Sequence, residues 1–118
     1  MGRVISFEMS SQNPELAVAF YSKVFGWEAA DPNWEYWPVE TGKEGKQGID
    51  GGISKGPADY PHGTRIILEV ESIDDIVEKA KELGAQVVRE KMEFDHFYLA
   101  YIVDPVGICF GLKENKVK

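Results

Sequence analysis

The sequence predicts an α+β fold made of two βαβββ modules, whose curved mixed sheets surround a central cleft. Three observations predict it. Apolar residues alternate along two segments, Arg3–Met9 and Arg65–Glu71, and period two means strand. Each segment is followed by a helical stretch that a glycine ends, Gly26 in the first case and Gly84 in the second. Three shorter strands come after each helix, so one pattern is written twice. The whole chain, 118 residues, suits a single domain over 1–118 with modules at about 1–54 and 64–114.

The first module reads element by element. Ile5, Phe7 and Met9 fall on one face of the first strand, with Val4, Ser6 and Glu8 on the other. Asn13 is placed as a helix N-cap, with Pro14 at the first helical position. Leu16, Ala17, Phe20, Tyr21, Val24 and Phe25 then recur at helical spacing. Strands are expected at Trp27–Ala30, Trp34–Glu40 and Gly48–Ser54, with Thr41–Gln47 as a turn. Lys55–Gly63, with two prolines and two glycines, is an inter-module loop.

In the second module Ile66, Leu68 and Val70 share one face and Arg65, Ile67 and Glu69 the other. Ser72 and Asp75 form a pair like a capping box. Ile76, Val77, Ala80 and Leu83 line the helix, and strands follow at Gln86–Glu90, His96–Val103 and Ile108–Lys113. Asp104-Pro105-Val106-Gly107 is a turn between the last two.

Composition excludes several functions. The net charge is −7, from 13 Lys+Arg against 20 Asp+Glu, which argues against a nucleic-acid surface. The basic cluster Lys113, Lys116 and Lys118 reads as solvated C-terminal charge. Cys109 is the one cysteine, so no intrachain disulfide or cysteine zinc site forms, and a cytoplasmic, reducing compartment is expected. The N-terminus is neither a signal peptide nor a membrane span. Gly2 and Ser6 satisfy the formal myristoylation pattern, but Val4-Ile5-Ser6 reads better as the start of a buried strand.

The run Asn13-Pro14-Glu15-Leu16-Ala17-Val18-Ala19-Phe20-Tyr21-Ser22-Lys23-Val24-Phe25-Gly26-Trp27 resembles the first helix of the vicinal-oxygen-chelate superfamily, which includes glyoxalases, bleomycin-resistance proteins and extradiol dioxygenases. Asp104-Pro105-Val106-Gly107-Ile108-Cys109-Phe110-Gly111-Leu112 is similar to its last hairpin, and Gly48–Ile53 and the second helix fit too. The resemblance covers about the whole chain. It implies eight strands around a cleft, often in a homodimer. In metal-binding members the ligands sit on the first and last strands of each module. Here those places carry Ser6 (Val4 on a gapped alignment), Arg65, Gly111 and, in the fourth strand, Asp50. Ser, Arg and Gly do not replace imidazole and carboxylate around a divalent ion, so no metal and no cofactor is expected.

Candidate site residues follow from the strand faces. Glu8 and Glu69 lie opposite the helices, in places the repeat makes equivalent, and either can act as a general base. Either can equally be paired with a cation or point into solvent. If one is functional, Glu8 is the freer group, since Glu69 shares its strand with Arg65. Ser6, Arg65, Trp34, Tyr36, Tyr98 and Tyr101 are the expected ligand-binding set, with Arg65 suited to a carboxylate or phosphate. The aromatic clusters Trp34, Tyr36, Trp37 and Phe97, Tyr98, Tyr101 serve a ligand wall, the core or a dimer seam. His62 and His96 lack ligand spacing, and Cys109 between Ile108 and Phe110 reads as an inert thiol.

Three functions compete. The first is a metal-free protein that binds a small hydrophobic or aromatic molecule in the cleft. The second, implied by the resemblance, is a lyase or isomerase related to lactoylglutathione lyase that uses a cleft carboxylate as base. The third is a structural or regulatory dimer whose cleft is filled. Expected partners are a small-molecule ligand and a second copy of the chain, with no nucleic acid and no membrane.

Overall fold

A computed structural model describes residues 2–57 and 61–116. The elements are β1 (Arg3–Ser10), α1 (Pro14–Phe25), β2 (Glu28–Ala29), β3 (Tyr36–Glu40), β4 (Gly51–Ser54), β5 (Gly63–Glu69), α2 (Ile73–Glu82), β6 (Gln86–Glu93), β7 (Phe97–Val103) and β8 (Cys109–Asn115). The order is βαβββ twice, as the sequence predicts. The chain divides into two compact units, Ser6–Thr64 and Arg65–Lys118 together with Met1–Ile5. Among the described residues no helix is long and apolar enough to cross a membrane.

In the first unit β4 pairs parallel with β1 and antiparallel with β3, and β3 pairs with β2. Phe7 stands opposite Gly51, where a Cβ would overlap the Phe7 carbonyl oxygen and ring. The missing side chain therefore lets β1 and β4 close up. Phe7 packs against Trp27 (5.6 Å between centroids), and Trp27 stacks on Tyr21 of α1 (4.9 Å).

Helix α1 departs from expectation in two ways. The Asn13 side chain makes no capping bond; instead Ser11 Oγ accepts from the Asn13 backbone N–H (2.9 Å). Leu16, Phe20, Val24 and Phe25 are exposed, between 54% and 66%, rather than packed on the sheet. Leu16, Phe20 and Val24 recur every four residues and so form one row along the helix. Gly26 caps the helix in the left-handed conformation (φ 74°), as expected. Strand β3 begins at Tyr36, not Trp34, because Trp34 and Glu35 (φ 57° and 58°) form a tight turn closed by two bonds between Asn33 and Tyr36.

The second unit is ordered β5-β8-β7-β6, with β5 and β8 parallel and the other pairs antiparallel. Its core is Val70, Ile73, Ala100, Ile102 and Leu112, flanked by Leu68, Ile76, Val77 and Ala80. Leu68 and Val70 pack under α2, as read from the sequence, whereas Ile66 of the same face is exposed beyond the helix and Ile67 of the other face is buried. The Ser72 side chain accepts from the Asp75 N–H (3.2 Å), and the Glu114 carboxylate accepts from the Ile73 N–H (2.8 Å). Two of the helix's orphan N–H groups are satisfied in this way. Asp104 builds the last turn, its Oδ1 accepting from the Val106 and Ile108 N–H groups (2.8 and 3.0 Å). Strand β6 ends the sheet and runs to Glu93, three residues past its expected end, with its register broken on both sides of Arg89.

Candidate functional site

Each unit has a sheet face that its helix does not cover. In Ser6–Thr64 this face carries Ser6, Glu8 and Ser10 of β1, Gly52 and Ser54 of β4, and Tyr36 and Pro38 of β3. Glu8 and Pro38 both stand opposite Gly52. A Cβ on Gly52 would overlap the Tyr36 phenol, so the glycine makes the space in which that ring lies. The Tyr36 hydroxyl is pushed up to about 12, first by burial and then by the Glu8 carboxylate. Ser10 Oγ donates to the Pro61 carbonyl (3.3 Å). The Gln12 amide donates to the carbonyls of Lys55 and Gly56 (3.2 Å each) and meets His62 Nε2 at 3.4 Å.

In the second unit the helix-free face carries Arg65, Ile67 and Glu69 of β5, Gly111, Lys113 and Asn115 of β8, and Tyr101, Leu99 and Phe97 of β7. Arg65, Ile67 and Tyr101 are buried, and the Arg65 guanidinium lies 5.4 Å from the Tyr101 ring centroid. Gly111 makes room for both neighbours, since a Cβ there would meet Ile67 Cδ1 at 2.5 Å and Tyr101 Cε1 at 3.0 Å. Asn115 Nδ2 donates to Glu69 Oε2 (2.9 Å), and Lys113 Nζ lies 4.7 Å from the Phe97 centroid.

These positions sort the expected site residues. Ser6, Glu8 and Tyr36 share one helix-free face, and Arg65, Glu69 and Tyr101 the other. Tyr98 does not join them. It lies on the α2 side beside the core, with Lys91 and Lys116 over its ring (4.8 and 5.1 Å), because the β7 register alternates it away from Tyr101. Trp34 is 95% exposed at the tip of its turn and builds no wall. Trp37, opposite Ile53, is on the α1 side.

Glu8 and Glu69 are not equivalent. Counted back from the N-caps Asn13 and Ser72, Glu8 matches Ile67 and Glu69 matches Ser10. The ladders agree, since Glu8 faces Gly52 and Ile67 faces Gly111. Gly52, not Asp50, is therefore the fourth-strand counterpart of Gly111. Asp50 precedes β4 and accepts from the Thr41 N–H (2.9 Å). Among the described residues no three of His, Cys, Asp and Glu gather as a metal site would require.

Sequence reading missed Lys113 and Asn115 as face residues. Alternation through Cys109, Gly111, Lys113 and Asn115 would have found them, but the lysine was counted with the tail. In the structure Lys113 is half-buried in β8, and Lys116 pairs with Glu93 (2.7 Å).

A family model described as a glyoxalase-like domain matches residues 6–112. The chain belongs to the glyoxalase-like family. No curated protein matches it. Its fold is that of the glyoxalase/bleomycin resistance/dioxygenase superfamily. A member of that superfamily from Vibrio splendidus 12B01 superposes with a TM-score of 0.65 at 15% identity, over 98% of this chain and 99% of the other. A Streptomyces coelicolor methylmalonyl-CoA epimerase in complex with 2-nitronate-propionyl-CoA gives 0.63 at 12% identity, over 98% of each chain. A Legionella pneumophila structure described as an NAD-dependent benzaldehyde dehydrogenase gives 0.66 at 16% identity, over 94% and 98%. At these identities the likeness is one of fold, and this glyoxalase-like chain is read from its own side chains.

Proposed function

We propose that this glyoxalase-like protein binds a small hydrophobic or aromatic molecule against a helix-free sheet face, without a metal ion at the superfamily's ligand positions. The observation that carries the reading is the second unit's face, where half-buried Leu99 and Phe97 continue the apolar surface of Tyr101 and Ile67. Apolar walls with a few placed polar groups are typical of small-molecule sites. Ser6, Arg65, Gly52 and Gly111 supply neither imidazole nor carboxylate, and Arg65 adds a fixed positive charge, so this donor set does not fit a divalent metal. The single thiol, Cys109, supports a cytoplasmic setting.

Thermal denaturation with a broad panel of aromatic compounds tests the reading. At least one compound should raise the midpoint, since ligand at about 100 times Kd adds about 2.7 kcal/mol. A panel without effect, or one divalent metal per chain bound at Ser6, Arg65 and Gly111 after chelator-free purification, would overturn it.

A lyase or isomerase remains the second reading because the Glu8 carboxylate, a candidate base, and the Tyr36 phenol lie on one face beside Gly52. Assaying compounds that bind for conversion, with Glu8→Gln as the control, separates catalysis from binding. The filled-face alternative draws support from Tyr36 over Gly52 and Tyr101 over Gly111. Within the second unit, Leu99, Phe97 and Lys113 on the face of Tyr101 are only half-buried.

We also propose a homodimer. Its support is the exposed row Leu16, Phe20 and Val24 with Phe25, more apolar surface than one solvated helix usually shows. Light scattering at micromolar concentration should return twice the 13.2 kDa chain mass. Phe20→Glu should shift the particle to the monomer, and a wild-type monomer would end the proposal.

A further inference from the structure

We infer that the bound molecule is an aromatic carboxylate whose acid group is held by Lys113. The inference rests on the binding reading above and gives it a substrate class.

Lys113 sits midway along β8, opposite Glu69 of β5 and Leu99 of β7, with its side chain on the helix-free face. A lysine opposite a glutamate in a ladder ordinarily pairs with it. Here it does not. The Glu69 carboxylate accepts from Asn115 Nδ2 instead, and the ammonium rests on the Phe97 ring, 4.7 Å from its centroid. Among the described residues Lys113 has no carboxylate in ion-pair range, whereas Lys91 and Lys116 have Asp74 and Glu93 at 2.9 and 2.7 Å. The ammonium of this half-buried lysine, with only an aromatic ring beside it, keeps most of its capacity for an anion.

The surroundings fit the rest of such a ligand. Leu99, beside Lys113, lies between Phe97 and Tyr101 on the same strand face, with roughly 7 Å from each residue to the next. A benzene ring placed on Leu99 would lie between Phe97 and Tyr101 and bring a one-carbon carboxylate arm toward Lys113, the residue opposite Leu99 in the ladder. Charge at Lys113 selects an anion, because the Glu69 carboxylate opposite it is engaged by Asn115. A cationic aromatic would meet Lys113 with the wrong sign.

The test is calorimetric titration of the full chain with phenylacetate, phenylacetamide and phenethylamine at low ionic strength. Phenylacetate should bind about ten-fold tighter than the amide, the factor that about 1.4 kcal/mol gives, and the amine should bind weakest. Lys113→Gln should remove that preference and leave amide binding within about two-fold. Lys113→Arg, which keeps the charge, should retain it, so failure of the Gln variant to fold does not shield the inference. Lys79→Gln, on α2, should behave as wild type. Equal binding of acid and amide, or a preference that survives Lys113→Gln, overturns the assignment of Lys113 and leaves the binding reading standing. Silence from all three probes refutes this class of ligand; silence from the broad panel as well refutes binding altogether.

Discussion

Ile73→Ala is expected to cost about 2 to 5 kcal/mol of stability, the range for truncating a fully buried aliphatic side chain. Ile73 is 1% exposed, starts α2, and packs with Val70, Ala100, Ile102 and Leu112. Its backbone N–H also donates to the Glu114 carboxylate (2.8 Å), so relaxation of the helix end toward the cavity would strain that bond. The site therefore has little freedom to collapse, which places the cost in the upper part of the range. Domains of this kind have about 5 to 15 kcal/mol in total, so the loss is a large share. Urea denaturation followed by far-ultraviolet circular dichroism should show a lower midpoint with an unchanged slope. Leu83→Ala, at a position 72% exposed, should stay within about 0.5 kcal/mol of wild type. Equal effects of the two substitutions would mean that the core is not where the structure puts it.

A second large effect is expected at high pH. Tyr36 ionises at about 12 in the folded chain against 10.0 for the ordinary side chain, because burial, and then the Glu8 carboxylate, disfavour the phenolate. Below pH 10 both folded and unfolded chains hold the proton, and the stability that depends on it is fully present. Above pH 10 the unfolded chain releases the proton while the folded chain keeps it, so stability falls until pH reaches about 12. The loss over this window is of order 2 to 3 kcal/mol. Tyr36→Phe should remove both this slope and one component of the phenolate absorbance that appears near pH 12. Identical alkaline profiles for wild type and variant would show that Tyr36 is not buried beside Glu8.

The architecture was legible because its signals are local. Alternation placed β1 and β5, Gly26 closed α1, and Ser72 capped α2 through the Asp75 N–H as its spacing implies. What failed depends on partners distant in sequence. Alternation shows that Glu8 and Glu69 each lie on the helix-free face of their own unit, but not which rung of the ladder each occupies. That is fixed by pairing with Gly52 in one case and Lys113 in the other. Tyr98 was misplaced because three aromatics in one hairpin look alike until the β7–β8 register separates odd from even. In α1, apolar residues occupy two stripes at once, and spacing does not say that Tyr21 meets Trp27 while Phe20 stays half in solvent. Trp34 looked like strand until two positive φ angles made it a turn.

The open edge at β6 limits how copies of this chain can recognise each other. Strands related by a two-fold axis pair so that the residue on the axis faces its own twin. Centred on Arg89, Glu90 or Lys91, such a pairing sets arginine against arginine, glutamate against glutamate or lysine against lysine. The breaks in register around Arg89 further deny an incoming strand a straight template. The middle of this edge thus disfavours two-fold pairing with its own kind. The proposed homodimer would then form through side chains elsewhere, with the uncovered row on α1 as its seam.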